Sequence, residues 1–457
     1  MASRLKVKRC EQFVGTIRPP SDKSLTHRAY MFAALAKPGD YEPITHVDGP
    51  GAVFGLEVPA SSTSIINHPL NGEDCESTLG CLATLGASID RISETQVQIT
   101  PPHEWVTDPV QLDCGNSGTT MRLMSGILAG ISGVQATLVG DESLSKRPMG
   151  RVSQPLTLMG ADITGDTAPV RINGRQLKGI GYETPVASAQ IKSAILLAAL
   201  KAIGTTTVFE PELSRDHTER MFTALGVKMN RKGSTVSIVG GQAWGGFEFT
   251  VPGDISSAAF FIVAALLHPL SDISFTHLGI NPTRTGILGV LDQMEVEYIA
   301  FNASEELGEP VANLQVKTPQ ALKPFVIEGA LVPKLIDEIP VLAVLATQCN
   351  GTSIIRDAKE LRVKETDRIE VVTRYLSAMG ANVEATVDGM IIHGPTPLRG
   401  ALIDSSGDHR IGMCFAIAGS IASGETIIEN ADSINTSYPQ FLDHFEHLSG
   451  SKVEVMQ

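Results

Sequence analysis

One arrangement of apolar and polar positions recurs along the chain: an apolar residue, two spacers, Leu or Met, usually Gly, then alternating apolar residues. It stands as LATLGASID (82–90), LTLMGADIT (156–164), FTALGVKMN (222–230) and LSAMGANVE (376–384). It returns as LDQMEVEYI (291–299) without the Gly, and imperfectly as FEHLSGSKVEV (445–455). The pattern predicts a helix end, a residue in the left-handed conformation that Gly adopts most easily, and a strand with alternate residues facing inward. Helix–Gly–strand turns are common in α/β proteins, but copies about 70 residues apart indicate a duplicated supersecondary unit, longer than a solenoid repeat. Six units divide into two domains of three, with the passage near FEFTVPGDISSAAF (247–260). The N-terminal residues 5–17 read as one strand that goes with the second half. Residues 37–62 fit no period and read as an insertion.

A second pattern concerns how the helices begin. In RPPSDKSLTHRAYMFAALA (18–36) an apolar helix opens with Lys23, Ser24 and Arg28, and Pro19, Pro20 and Ser21 read as its start signal. The helix dipole disfavours cations there. Such a cation is either a solvated end or part of a cradle for an anion. The same arrangement recurs. LDCGNSGTTMRLMSGILAG (112–130) is a Gly-rich turn with Asn116, Ser117 and Gly118, and Arg122 early in the helix. Lys146 and Arg147 precede Pro148, and SAQIKSAILLAAL (188–200) carries Ser188, Gln190 and Lys192. Arg215 stands before Asp216, which reads with Glu219 as a capping-box variant. LRVKETDRIEVV (361–372) and GDHRIGMCFAIAG (407–419) add Lys364, Arg368 and Arg410.

Composition sharpens this reading. The 457 residues carry a formal charge of −14, so clustered cations do not reflect a basic background. That charge, with 5% aromatic residues, argues against nucleic acid or an anionic membrane as partner. Six or more cationic helix starts in an acidic chain call for counter-anions, and a small ligand bearing phosphates and carboxylates supplies them. Asp337 and Glu338 ahead of an apolar run, and Glu365 between Lys364 and Arg368, are candidate bases, with plain ion pairing as the alternative. There is no GxSxG, P-loop or HExxH motif, so no metal, nucleotide or covalent chemistry is indicated. Six cysteines without metal spacing suit reduced, buried thiols. The start MASRLKVKRCEQF has no apolar signal core, and the longest apolar stretch (258–270) is too short for a bilayer. The expectation is a soluble, cytoplasmic monomer.

In order, SDKSLTHR, DCGNSGTTMR, ESLSKRPMGRV, SAQIKSA, SRDHTE, IDEIPVLA, LRVKETDRI and DHRIGM resemble the 5-enolpyruvylshikimate-3-phosphate synthases (3-phosphoshikimate 1-carboxyvinyltransferases), with wording similar to the class II branch. The resemblance spans the chain except 37–62. It implies an enolpyruvyl transferase fold: a two-domain inverse α/β barrel, each domain three βαβαββ units, with substrates bound in the cleft. The domains would be 1–19 with 251–457, and 20–250.

Carried over by motif, Lys23, Ser24 and Arg28 would bind shikimate 3-phosphate, with Ser188, Gln190 and Arg215 around it and Asp337 and Lys364 at its hydroxyls. Lys23, Asn116, Gly118, Arg147, Arg368 and Arg410 would surround phosphoenolpyruvate. Asp337 would assist attack of the 5-hydroxyl, and Glu365 would deliver and later remove the methyl proton, with no cofactor or metal. Relatives with a Lys before an FPDF-like segment differ from INTSYPQF here, where Asn435 and Thr436 stand, and Lys452 is the candidate replacement. Gly118 leaves room that implies sensitivity to glyphosate. The alternatives are UDP-N-acetylglucosamine enolpyruvyl transferase, which would place a reactive Cys in a flexible loop, and a non-catalytic metabolite-binding homologue.

Overall fold

The computed structural model describes residues 4–37 and 62–456, so most of the 37–62 insertion lies outside the described residues. The chain divides into two compact units. One comprises Met1–Pro20, Pro252–Glu305 and Pro310–Gln457; the other comprises Ser21–Val251 with Glu306–Glu309.

Among the described residues, the Ser21–Val251 unit holds α1 (Lys23–Leu35), α2 (Glu73–Thr84), α3 (Gly118–Ala129), α4 (Gly150–Leu158), α5 (Ala189–Ala199) and α6 (His217–Ala224). The other unit holds α7 (Ile255–Leu267), α8 (Gly286–Gln293), the short α9 (Val332–Leu335), α10 (Ile339–Ala346), α11 (Arg368–Ala378), α12 (His409–Ile421) and α13 (Phe441–Ser449). Each unit also carries three four-stranded sheets of one design. In one of them Val110–Asp113 runs parallel to Gln135–Val139, which pairs antiparallel with Val170–Asn173, itself antiparallel to Asp162–Thr164. Helix α3 connects the parallel pair, as a crossover must. The chain order is β-α3-β-α4-β-β, the expected βαβαββ unit.

The first and last repeats borrow strands from distant sequence. Glu248–Thr250 supplies the parallel strand beside Ser64–Asn67. The N-terminal stretch forms two strands rather than the one expected. Val14–Ile17 lies parallel to Asp272–Gly279, and Arg4–Lys8 enters another sheet between Glu425–Glu429 and Glu454–Met456. The break falls at residues 9–12, where Arg9, Glu11 and Gln12 are exposed and Cys10 is buried.

Helices in each repeat are of two kinds. Helices α1, α3, α5, α7, α10 and α12 are buried over nearly every face, as helices apolar all round must be. Helices α2, α4, α6, α8, α11 and α13 are amphipathic and bury one side. The inner helices approach closely: a Cβ on Gly126 of α3 would come within 2.2 Å of the Ala194 carbonyl oxygen of α5. No helix among the described residues is long and apolar enough to cross a membrane.

The repeated turn is real in all six copies. Gly86, Gly160, Gly226, Gly380 and Gly450 have positive φ, and in the copy that lacks Gly the residue is Glu295 at φ 56°. At Gly226 the N–H donates to Thr223 O and the next N–H, of Val227, reaches back to Phe222 O; Glu295 and Val296 repeat both bonds on Asp292 and Leu291. Gly226 has open space where a Cβ would go, so its constraint is conformational alone. Gly226→Ala is therefore expected to cost about 1 kcal/mol. Glu295→Gly, which gives up only an exposed ion pair with Lys323, should gain roughly 0.5 kcal/mol. Urea unfolding of both variants checks the opposite signs; a loss in both would contradict the shared turn.

Candidate active site

In the Ser21–Val251 unit, the starts of the inner helices are tied together. Asp22, not Ser21, caps α1 by accepting the Leu25 N–H at 2.9 Å. Lys23 Nζ lies 2.9 Å from Asp74 Oδ2. Arg28 is 3% exposed, and its guanidinium donates to Thr218 Oγ1 (2.8 Å), Ser193 Oγ (2.7 Å) and the Ser24 carbonyl (2.9 Å). All three acceptors are neutral. Burial pulls the Arg28 pKa down to about 10 against the attraction of Glu219 and Asp22, with nearby Arg215 pulling it further down. Arg28 thus stays charged at neutral pH.

Ser117 caps α3, accepting the Thr120 N–H at 3.1 Å. Beside it the Asn116 amide clamps two partners, donating to Asp141 Oδ2 at 2.6 Å and accepting from Arg147 Nη2 at 2.8 Å. Gln190 repeats the device on α5, donating to Thr119 Oγ1 at 3.0 Å and accepting from Arg122 Nη1 at 2.6 Å. Ser188 caps α5 with a long 3.5 Å bond to the Ile191 N–H. A Cβ on Gly118 would sit 2.7 Å from Arg122 Nη1, so this Gly leaves room for that guanidinium, with Arg147 Nη1 at an ordinary contact distance of 3.5 Å.

Three readings of the sequence change here. Lys192 is not a site cation: it is wholly buried, with Glu210 at 2.6 Å and Glu219 at 2.8 Å. Asp216 forms no capping box, because Glu219 is turned to Lys192 while Asp216 takes Arg220 at 2.9 Å and Arg231 at 2.6 Å. Lys146 is a solvated end, paired with Glu142 at the surface.

In the other unit the cations meet protein carboxylates. Arg368 is 1% exposed and donates through Nε to Asp408 Oδ2 (2.8 Å), through Nη2 to Glu365 Oε2 (2.7 Å) and through Nη1 to Asp337 Oδ1 (3.3 Å). Lys364 Nζ also reaches Asp337 Oδ1, at 3.2 Å. Arg410 Nη1 lies 3.3 Å from the Asp337 carbonyl and 3.5 Å from that of Ser256, which draws the starts of α7, α10 and α12 together. Burial works against the Arg368 charge, but Asp408 and Glu365 outweigh it and raise the pKa further. Burial likewise pushes the Asp408 carboxyl up, and Arg368 more than reverses this, leaving it below the usual range. Within this cluster Asp337, Glu365 and Asp408 supply counter-charge to Lys364 and Arg368, while Arg410 meets carbonyl oxygens. Lys452 is not brought to it: the side chain is 90% exposed and pairs with Glu446 at 2.5 Å.

Several residues escaped the sequence reading. Asp254 caps α7 and takes the buried Arg284 at 2.7 Å, and Asp408 caps α12. Asp22, Asp254 and Asp408 all stand just before an apolar helix, a capping signature that could have found them. Asp74 has no such signal. Among the described residues, no group of three His, Cys, Asp or Glu is placed to hold a metal.

The chain has relatives among known proteins. A family model for EPSP synthase (3-phosphoshikimate 1-carboxyvinyltransferase) matches residues 59–445. The chain belongs to the EPSP synthase family. A 3-phosphoshikimate 1-carboxyvinyltransferase of Brevibacillus brevis is 48% identical over 444 residues, covering 96% of this chain and 98% of that protein. The Bacillus cytotoxicus protein of the same name is 46% identical over 439 residues, 95% and 97% of the two chains. A solved EPSP synthase structure from Acinetobacter baumannii superposes with a TM-score of 0.84 at 39% identity, covering all of both chains. The family model begins after Lys23, Ser24 and Arg28, whereas the alignments with the two relatives span nearly the whole chain.

The Arg368 cluster makes a pH prediction. A carboxylate with a depressed folded pKa contributes stability that is complete above its unfolded pKa, about 3.9 for Asp. That contribution is lost as pH falls through the folded value. Asp408→Asn is expected to lose about 3 kcal/mol at pH 7 and to show a shallower further loss below pH ~4 than the parent. Urea midpoints across pH 2.5–7, a range set by ordinary carboxylate titration at about 4, check this. Parallel curves for the two proteins would contradict it.

Proposed function

We propose that this protein transfers the enolpyruvyl group of phosphoenolpyruvate to the 5-hydroxyl of shikimate 3-phosphate and releases inorganic phosphate by addition–elimination. The observation that carries the reading is Arg368, buried and shared by Asp337, Glu365 and Asp408. Two carboxylates with assigned proton-transfer roles are thereby oriented by one immobile cation, as acid–base work at a fixed geometry requires.

Asp337 takes the 5-hydroxyl proton as that oxygen bonds to the enol carbon, while Glu365, protonated at the start, gives its proton to the methylene carbon and makes it a methyl group. Glu365 then takes back one methyl proton, the double bond re-forms, and the carbon–oxygen bond to phosphate breaks, the phosphate leaving with the proton that Asp337 held. Lys364 on Asp337, together with Arg368 and Arg410, stabilises the charge that develops. Lys23, Ser24, Arg28, Ser188, Gln190 and Arg215 hold shikimate 3-phosphate, while Lys23, Asn116, Gly118, Arg147, Arg368 and Arg410 receive phosphoenolpyruvate. Arg28 suits this role because its fixed hydrogen-bond acceptors are all neutral. The protein works in the cytoplasm, where its six unbridged cysteines stay reduced. Those cysteines also speak against the UDP-N-acetylglucosamine alternative. All six are buried, and burial raises the thiol pKa of Cys75 and Cys414 well above the usual value, the reverse of an activated nucleophile.

Glu365→Gln tests the reading against a non-catalytic binding protein. Turnover is expected to fall about 10²- to 10⁴-fold while calorimetric affinity for shikimate 3-phosphate stays unchanged; loss of affinity with turnover intact would overturn the assignment. Gly118→Ala, which adds a methyl group within 2.7 Å of Arg122 Nη1, is expected to raise both the KM for phosphoenolpyruvate and the half-inhibitory concentration of glyphosate, leaving the KM for shikimate 3-phosphate alone. An unchanged response to both would place Gly118 outside the site.

A further inference from the structure

Four wholly buried side chains form a continuous hydrogen-bonded line behind the helix starts of the Ser21–Val251 unit. His27 Nδ1 lies 2.7 Å from Thr78 Oγ1, Thr78 Oγ1 is 2.7 Å from Thr120 Oγ1, and Thr120 Oγ1 is 2.7 Å from Ser117 Oγ. His27, Thr78, Thr120 and Ser117 are each 0% exposed. Thr120 Oγ1 also lies 3.3 Å from the Asp74 carbonyl.

The polarity of the line follows from what its first member leaves over. His27 Nε2 is buried without a hydrogen-bond partner. A buried N–H with no acceptor costs about 1–3 kcal/mol, and orphaned N–H groups are rarer than under-used acceptors. The proton therefore sits on Nδ1 and donates to Thr78, Thr78 donates to Thr120, and Thr120 donates to Ser117, with the Asp74 carbonyl alongside. Burial pushes the His27 pKa down to about 3, so the ring is neutral across the physiological range.

The Thr120–Ser117 end of the line reaches groups assigned to substrate, and no member of the line is so assigned. Ser117 caps α3 between Asn116 and Gly118. Asp74, whose carbonyl faces Thr120, holds Lys23 through its carboxylate at 2.9 Å. We propose that His27 is a positioning residue, whose Nδ1–H orders the Thr78–Thr120–Ser117 line and thereby sets Lys23 and the Asn116–Gly118 turn for phosphoenolpyruvate. This rests on the function proposed above. The line touches neither Asp337 nor Glu365 among its hydrogen bonds, so its loss falls on KM for phosphoenolpyruvate more than on kcat.

Steady-state kinetics of four full-length variants test this. His27→Asn keeps an N–H near the Nδ1 position, whereas His27→Gln carries it a bond further out. Thr78→Ser keeps the hydroxyl and Thr78→Val removes it. His27→Gln and Thr78→Val are expected to raise the KM for phosphoenolpyruvate about tenfold, with a smaller change in kcat. His27→Asn and Thr78→Ser should stay within about threefold of the parent. If a His27 variant fails to fold, the Thr78 pair decides the matter. Equal impairment of Asn and Gln, or of Ser and Val, would reduce the line to packing and overturn the proposal, as would parent-like kinetics in all four. A parent protein that does not turn over the two substrates would instead remove the underlying reading, and this proposal with it.

Discussion

A helix buried on every side still begins with backbone N–H groups that nothing inside it can satisfy, and with a partial positive charge. Each repeat of this protein contains one such helix, and the organisation of the candidate site follows from that constraint. Asp22, Ser117, Ser188, Asp254 and Asp408 cap α1, α3, α5, α7 and α12 with their side chains. Cations added at these starts stand against the dipole, so each needs a fixed acceptor nearby. Lys23 has Asp74, Arg284 has Asp254, and Arg368 has Asp408. The concentration of polar groups at one end of otherwise apolar helices thus has a physical origin before any substrate is considered.

The most buried guanidinium of each unit, Arg28 in one and Arg368 in the other, is held differently. In the Ser21–Val251 unit, Arg28 is held by hydroxyls and a carbonyl, and Arg122 and Arg147 accept positioning from the amide oxygens of Gln190 and Asn116. For Arg28, neutral acceptors orient the guanidinium without neutralising its charge. In the other unit, Arg368 is surrounded by Asp337, Glu365 and Asp408 and fixes the orientation of all three carboxyl groups. Lys192 marks the limit of the pattern: enclosed by Glu210 and Glu219, its charge is consumed inside the fold.

Much of this was legible in the sequence, and the reasons differ by residue. The sixfold repeat shows because each helix end requires a left-handed residue, and Gly is the one that adopts it at least cost. Glu295 breaks the letter of the pattern while keeping the conformation. The cations showed because they contradict helix electrostatics. Their partners did not, since Asp74 lies 51 residues from Lys23 and Asp408 lies 40 from Arg368, and only the fold brings them together. For the same reason the internal carboxylates that hold Arg368 are not visible from its position in the sequence. Asp216 and Glu219 had the spacing of a capping box, but buried basic neighbours claimed both side chains. Two N-terminal strands read as one because each is too short for its own period to stand out.

The central claim is that the anion-holding helix starts and the Arg368-ordered carboxylates serve one transfer between two substrates. Phosphate release from phosphoenolpyruvate, measured with and without shikimate 3-phosphate, tests it most directly. Release that requires both compounds, at a rate proportional to protein, is the predicted result. Release from phosphoenolpyruvate alone, or none with both present, would contradict it.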